Sequence, residues 1–353
     1  MRLDGDGGTW NHAAVPQASE LPVPAARRRR GWLPLAAVRP DYDLIPLNGR
    51  RLITQGLNRS TPTGSICAVA YRAELRPSSR EVVTHLFGRD SSVLSRERIT
   101  GGMSVDEYEA SGETIAAWSM DSALGAAAAL LGRHVEESGS GAVVEAVRSD
   151  TVGLRAGDLI VAVDGQPMHI ATDVRAALAG RNSVELTVQR EDEALTLRSS
   201  RHDDGAWGIR VITAERVLQH GIAARFELPE DLRGPSLGLA CALSIIDAYT
   251  GGRLANSGTV VATGTVDLAG RVGGVGAVEY KARAVRAHAH VRRFVVPAES
   301  AADVEHARRV LGSRVEVVAV TTLAEAVDLL GGSSWRSRKA GARSADRVPG
   351  AVR

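Results

Sequence analysis

Two periods of hydrophobicity divide the chain. Between Ala142 and Arg198 apolar positions come in short runs: Ala142–Val147, Leu159–Val163, Val184–Gln189 and Ala194–Arg198. Turn residues separate them, namely Gly157-Asp158, Asp164-Gly165 and Glu191-Asp192. These features predict strands, joined by a short helix over Ala171–Ala179 that Gly180 ends. From Trp207 onward the period switches back and forth. Ile209–Ile212, Ala223–Leu228, Thr259–Val266, Phe294–Val296 and Val315–Val320 read as strands. Helices are predicted over Ser236–Tyr249, Val278–His290 and Thr322–Leu330, with a further one capped by Ser300 and running to Leu311. Such alternation predicts an α/β domain. The segment Ser236–Tyr249 is apolar nearly all round, as a buried helix is.

The first third is less regular. Leu44–Leu47 and Ile66–Tyr71 are short apolar runs, and alternation at Ala68, Ala70 and Ala73 predicts a strand. Ser104 and Glu107 have capping-box spacing for a short helix over Val105–Ala110. A longer helix is predicted over Gly112–Leu131, with Ser111 as N-cap and Gly132 as terminator. Residues 1–40 are rich in Gly, Pro, Ala and Arg without periodicity and read as disordered, as does the chain after Gly331.

Composition narrows the function classes. A chain of 353 residues, 44% hydrophobic and 24% charged, is large enough for two cored domains. Its net charge of +2 gives no bulk attraction to nucleic acid, so none is expected as a partner. Arginine is concentrated at Arg27–Arg30 and in the tail from Arg336 to Arg353. Cys67 and Cys241 are too few for a disulfide framework or a cysteine zinc site, and no metal or other cofactor is expected. The apolar stretch Trp32–Val38 is too short to span a bilayer, so the expectation is a soluble, cytoplasmic chain.

The candidate chemistry lies in Gly234-Pro235-Ser236-Leu237-Gly238. A serine at a helix start sits where unpaired N–H groups favour developing negative charge. The G-x-S-x-G spelling suggests the nucleophile elbow of an α/β-hydrolase, with a base among His288, His290 and His306. That elbow needs a strand running into the serine, and here a polar loop and Pro235 intervene. A lysine is the better base. Val278, Lys281, Ala282, Val285 and Ala289 recur at helical spacing, placing Lys281 in an apolar stripe. Burial lowers a lysine's pKa and makes it a usable base near neutrality.

Two resemblances follow from these residues. Leu131-Gly132, Val143–Val147, Gly153-Leu154 and above all the run Gly157–Gly165 resemble a PDZ domain of the bacterial protease-associated type. The resemblance implies binding of peptide or protein C-termini, with Leu131, Gly132, Arg133 and His134 as the carboxylate loop. Gly234-Pro235-Ser236, Thr263-Gly264-Thr265-Val266, Gly270-Arg271-Val272, Gly276, Lys281, Val295-Val296-Pro297 and Leu323–Val327 resemble the Lon proteolytic domain. That resemblance implies Ser236 as nucleophile, Lys281 as general base and Thr263 as the lysine's hydrogen-bond partner, with Gly234 and Pro235 in support. Leu237 stands where the family has alanine, which narrows the site, and Arg233 stands where an acidic residue is common.

Together they are similar to the PDZ-Lon family, and no Walker A sequence is present. The expected fold is a multidomain α/β (α+β) chain. It comprises a pre-PDZ region at 41–125, a β-barrel-like PDZ domain at 126–201, a Lon proteolytic domain at 205–331 and a basic tail at 332–353. The implied activity is that of an ATP-independent Ser–Lys endopeptidase acting on proteins or peptides. The alternative is a catalytically silent peptide-binding scaffold. Lon-type domains commonly assemble into rings, so a homo-oligomer is implied as well. Family members are typically membrane-anchored and extracytoplasmic, and Arg27–Arg30 with Trp32–Val38 stand where the anchor would be.

Overall fold

The computed structural model describes residues 34–331 except 50, 55–61, 89, 101–103, 149–150, 152, 192, 230–231, 233 and 257. The contacts divide these residues into two compact units. One comprises residues 137–217 and the other residues 34–136 with 218–331.

The larger unit opens with β1 (Leu35–Pro46), β2 (Leu52–Thr54), β3 (Ser65–Glu74), α1 (Ser79–Phe87), β4 (Ser92–Ser95), α2 (Arg96–Thr100) and α3 (Val105–Leu131). The chain then passes through β5 (Glu136–Ser138) into the smaller unit. There it forms β6 (Ala142–Val147), β7 (Leu159–Val163), β8 (Gln166–Pro167), α4 (Ala171–Leu178), β9 (Ser183–Arg190), β10 (Glu193–Ser200) and β11 (Ile209–Thr213). After β12 (Val217–Gln219) it returns to the larger unit with β13 (Ala224–Phe226), α5 (Gly238–Tyr249), β14 (Thr259–Ala262), β15 (Thr265–Val266) and β16 (Val272–Gly273). It finishes with α6 (Val278–Arg286), β17 (Val291–Pro297), α7 (Ala301–Leu311), β18 (Glu316–Val320) and α8 (Leu323–Gly331).

In the larger unit six strands form one sheet in the order β18-β17-β14-β3-β1-β4. The first four are parallel, and β1 and β4 continue antiparallel. Both faces are covered, which explains why the central strands read as continuous apolar runs. Ile66, Ala68, Val260, Ala262 and Val295 share one core with α3, α5 and α8. Their alternate neighbours Cys67, Val69, Val261, Phe294 and Val296 share another with α6 and α7. Residues Gly238 to Asp247 of α5 are all buried, as its unbroken apolar run predicts.

This sheet corrects the expected boundaries. Residues 41–125 are not separate from 205–331: β3 pairs in parallel with β14, Ser65 opposite Thr259 and Ala68 opposite Ala262. Nor is the chain disordered to residue 40, since Leu35–Pro40 belongs to β1, with Ala36, Ala37 and Val38 buried in the fold. The apolar end of Trp32–Val38 is therefore sheet rather than the remnant of an anchor. Residues 1–33, which hold Arg27–Arg30, and the tail 332–353 lie outside the described residues. Among the described residues no helix is long and apolar enough to cross a membrane. The break predicted at Ser111 is absent and α3 runs unbroken, because packing along α5 outweighs a local cap signal. Its end is as expected. Gly132 takes φ +83°, and the Gly132 and Arg133 N–H groups return to Ala129 and Ala128 oxygens at 2.9 Å each, a Schellman closure.

A buried polar clamp joins the early and late segments. Asn48 donates to Asp247 Oδ2 and to Gly64 O at 3.0 Å each and accepts from Ile66 N at 2.9 Å. Asp247, fully buried in α5, also accepts from Leu254 N at 2.7 Å. Buried groups of this kind are costly to orphan. Asn48→Ala is expected to destabilise the larger unit by about 2 kcal/mol, read as a lower urea midpoint. An unchanged midpoint would contradict it.

In the smaller unit the sheet order is β10-β9-β7-β6-β11, with β8 on β7. Ala142, Val144, Ile160, Leu186, Val188, Val174 and Leu178 form its core under α4. Strand β11 lies antiparallel to β6, with Ile209 opposite Val147 and Thr213 opposite Ala142. This corrects the assignment of Ile209–Ile212 to the following domain and moves the end of the expected 126–201 domain past residue 201. The polar, glycine-bearing stretch Arg201–Gly208 has the composition of a linker and hid a pairing made some 60 residues back in the chain.

Candidate functional site

Ser236 precedes α5 in a short turn that the surrounding helices hold. Gly234 takes φ +80°, which favours glycine, and its N–H donates to Gly112 O of α3 at 3.1 Å. Ser119 of α3 donates to Pro235 O at 2.8 Å. A Cβ on Gly238 would stand 2.8 Å from Ser119 Oγ and 3.2 Å from Val266 N, so the turn packs too closely for a side chain there. These contacts explain the G-x-S-x-G spelling without an elbow: strand β13 ends at Phe226 and a loop leads into the serine. His288 and His290 lie beyond α6, their rings 5.5 Å apart, rather than on the helix predicted to reach His290. Leu237 is buried in the core shared by α3 and α5, so its bulk goes into packing rather than narrowing the site as expected. Arg233 lies outside the described residues.

Lys281 and Thr263 do come together with this turn. Lys281 is 1% exposed and Thr263 fully buried. Lys281 Nζ donates to Thr263 Oγ1 at 3.1 Å, and Thr263 Oγ1 donates to the Ser236 carbonyl at 3.3 Å. The Gly264 N–H reaches the same carbonyl at 3.0 Å. Because the threonine proton is directed at Ser236 O, its oxygen presents a lone pair to the amine and fixes the position of Nζ. Burial pushes the Lys281 pKa down to about 7. Among the described residues no hydrogen bond joins Ser236 Oγ directly to Nζ; the link runs through Thr263. The predicted stripe holds at Val278, Ala282 and Val285, which are buried, and fails at Ala289, which lies exposed beyond the helix.

One neighbour carried no sequence signal. Tyr71 of β3 places its ring 5.8 Å from Lys281 Nζ. Its phenol is held protonated by burial and by the adjacent Tyr108. The aromatic face favours the charged amine, opposing the burial that dominates. Only the pairing of β3 with β14 brings Tyr71 here, and nothing in its spacing announces it.

Leu131, Gly132, Arg133 and His134 are found in the larger unit, closing α3. Leu131 is buried in its core, and Arg133 donates to Gly221 O at 3.0 Å with its guanidinium 5.3 Å from the Tyr249 ring. His134 is exposed, 3.9 Å from Glu136.

The smaller unit has a groove of about 410 Å³ between α4 and β11, walled by Leu178, Ala179, Trp207, Ile209 and Val211 and by Arg175, Arg201 and Arg210. β11 is an edge strand. Gly208 O receives Arg148 N at 2.7 Å and Ala214 exchanges bonds with Gly141 and Ser140, all on the β6 side. The two-residue period then turns the N–H and C=O groups of Ile209 and Val211 to the outer edge, beside α4. Such an edge takes another strand. A family model for PDZ domains matches residues 143–190.

Residues 143–190 are a PDZ domain. PDZ domains bind peptides or proteins. Among solved structures, the PDZ domain of the SdrC-like protein from Listeria monocytogenes is similar over 20% of this chain and 87% of its own, at 20% identity and a TM-score of 0.19. No curated protein matches the chain.

Proposed function

We propose that this protein is an ATP-independent serine endopeptidase of Lon type in which Ser236 and Lys281 form the catalytic dyad and the PDZ domain receives peptide or protein C-termini. The observation that carries the reading is a lysine buried to 1% exposure and anchored to Thr263, which in turn bonds the Ser236 carbonyl. A neutral Lys281 takes the Ser236 proton as Oγ attacks the scissile carbonyl carbon. The resulting ammonium gives that proton to the departing amine, and the freed amine then activates water against the acyl-enzyme. The N–H groups of Gly238 and Leu239 are occupied by Pro235 O and Gly264 O. An oxyanion is therefore received at the N–H of Ser236 or Leu237, in front of the helix.

In the PDZ domain the carboxylate site moves from Leu131–His134 to the head of β11. The loop's own bonds use the N–H groups of His202, Gly205 and Ala206. The N–H groups of Trp207 and Ile209 follow directly at the groove and are the ones proposed to receive a terminal carboxylate.

Ser236→Ala is expected to abolish cleavage of an unstructured protein such as casein, measured by peptide release. Cleavage at the wild-type rate by the purified variant would sink the protease reading. The lack of a direct Ser236–Lys281 hydrogen bond favours a second reading, a silent peptide-binding scaffold, for which the wild type itself shows no cleavage and no serine labelling while still binding peptides.

A further inference from the structure

The groove beside β11 is more cationic than strand capture alone requires. Of its three arginines Arg210 is paired, reaching Glu145 Oε2 at 2.6 Å. Arg201 and Arg175 have no carboxylate partner among the described residues. Two donors at the groove are also buried without an acceptor, Arg201 Nε and Trp207 Nε1. Arg175 holds a further position. From α4 it crosses the groove and donates to Val211 O at 3.0 Å. That carbonyl is one of the outer-edge groups an added strand must bond.

We propose that Arg175 determines the specificity of this groove: it covers the Val211 carbonyl when the groove is empty, and passes to an acidic side chain of the ligand when a peptide strand adds to β11. The register places that side chain. With the terminal carboxylate at Trp207–Ile209, the last residue of an antiparallel peptide lies opposite Ile209. The third residue from the end then lies opposite Val211 and below Arg175. The ligand class is a peptide with a free, apolar C-terminal residue and Glu or Asp third from last. The exchange replaces a bond to a neutral carbonyl by a charge-assisted one, and the released carbonyl accepts the peptide N–H. This assignment rests on the reading of the groove as a C-terminus site.

The test is fluorescence anisotropy on the full chain carrying Ser236→Ala, which prevents turnover. Labelled peptides end in Ala, Val, Leu or Phe and carry Glu, Ala or Lys third from last, each with a free or amidated terminus. Glu is expected to bind about tenfold tighter than Ala, and Lys weakest. Arg175 is exposed, so its substitution leaves the fold intact. Arg175→Ala should bring the Glu and Ala peptides within about twofold and strengthen the Ala peptide, because the Val211 carbonyl is uncovered. Arg175→Gln should also lose the preference for Glu but, keeping a donor for Val211 O, should not strengthen the Ala peptide. Binding without preference for Glu in the wild type, or a preference that survives both substitutions, overturns the role of Arg175. Equal binding of free and amidated termini, or no binding at all, overturns the C-terminus reading beneath it.

Discussion

Replacing Lys281 with methionine is expected to abolish peptide-bond cleavage while leaving the protein at least as stable as the wild type near neutral pH. The two halves of this result have one cause. Lys281 is a cation's side chain in a core position, and burial has pushed its pKa down to about 7. In the unfolded chain the amine stays protonated up to about pH 10.5. Between those values the unfolded state holds a proton that the native state does not, so stability rises with pH across the window and is lowest below about 7. Methionine fills a similar volume without that penalty, so the variant's advantage should be greatest at acidic pH and shrink towards pH 10. Activity follows the same ionisation. In the proposed dyad only the neutral amine can take the Ser236 proton, so wild-type kcat/KM should climb through an apparent pKa near 7 and level off above it. Loss of a general base removes about 10²- to 10⁴-fold, and the proposed dyad has no second base to replace it. Urea titrations at several pH values and a pH–rate profile measure both effects. A flat profile from pH 5.5 to 9, or a methionine variant much less stable than wild type at pH 6, would overturn this account of the lysine.

The parts of the molecule that could be read in advance are those set by neighbours along the chain. Strands β6 and β7 and helix α7 with its Ser300 cap follow from local pattern, and so does the Gly132 closure of α3. Lys281 was visible because three helical neighbours repeat its face. What escaped depends on distant pairing. Tyr71 reaches Lys281 only because β3 lies beside β14, and β11 completes the PDZ sheet across a stretch that looks like a linker. Ser119 and Gly112 steady the serine turn from a helix more than a hundred residues earlier in the chain. The edge strand that fronts the groove escaped for the same reason. The resemblance read along the sequence pointed to Leu131–His134, ahead of the first PDZ strand, Ala142–Val147, whereas β11 comes last.

The second large effect concerns the PDZ domain's own integrity. Arg190→Ala is expected to destabilise residues 137–217, because it leaves the buried Asp158 carboxylate without its guanidinium partner. Asp158, its side chain fully buried, is held in a fork by Arg190, with Nε to Oδ1 at 2.7 Å and Nη2 to Oδ2 at 2.8 Å. Arg155 N adds a bond at 2.8 Å, and Arg190 reaches on to Gly153 O at 2.7 Å. Burial alone would raise the carboxyl's pKa; the guanidinium and the backbone donor outweigh it and hold the pKa below the ordinary value. The pair therefore stabilises the fold above the unfolded pKa of about 3.9, and its contribution is lost as pH falls through the native value. Removing the arginine leaves a buried carboxylate with one backbone bond, at the Gly157-Asp158 turn that opens β7. Removing the carboxylate is milder, because Arg190 is partly exposed and can turn to water. Asp158→Asn should therefore cost less than Arg190→Ala, and the double variant less than the sum of the two. Hydrogen exchange at the β6, β7 and β9 amides reads these changes within the full chain. Equal losses from the two single variants, or additivity in the double, would mean that the fork is a surface pair in energetic terms despite its burial.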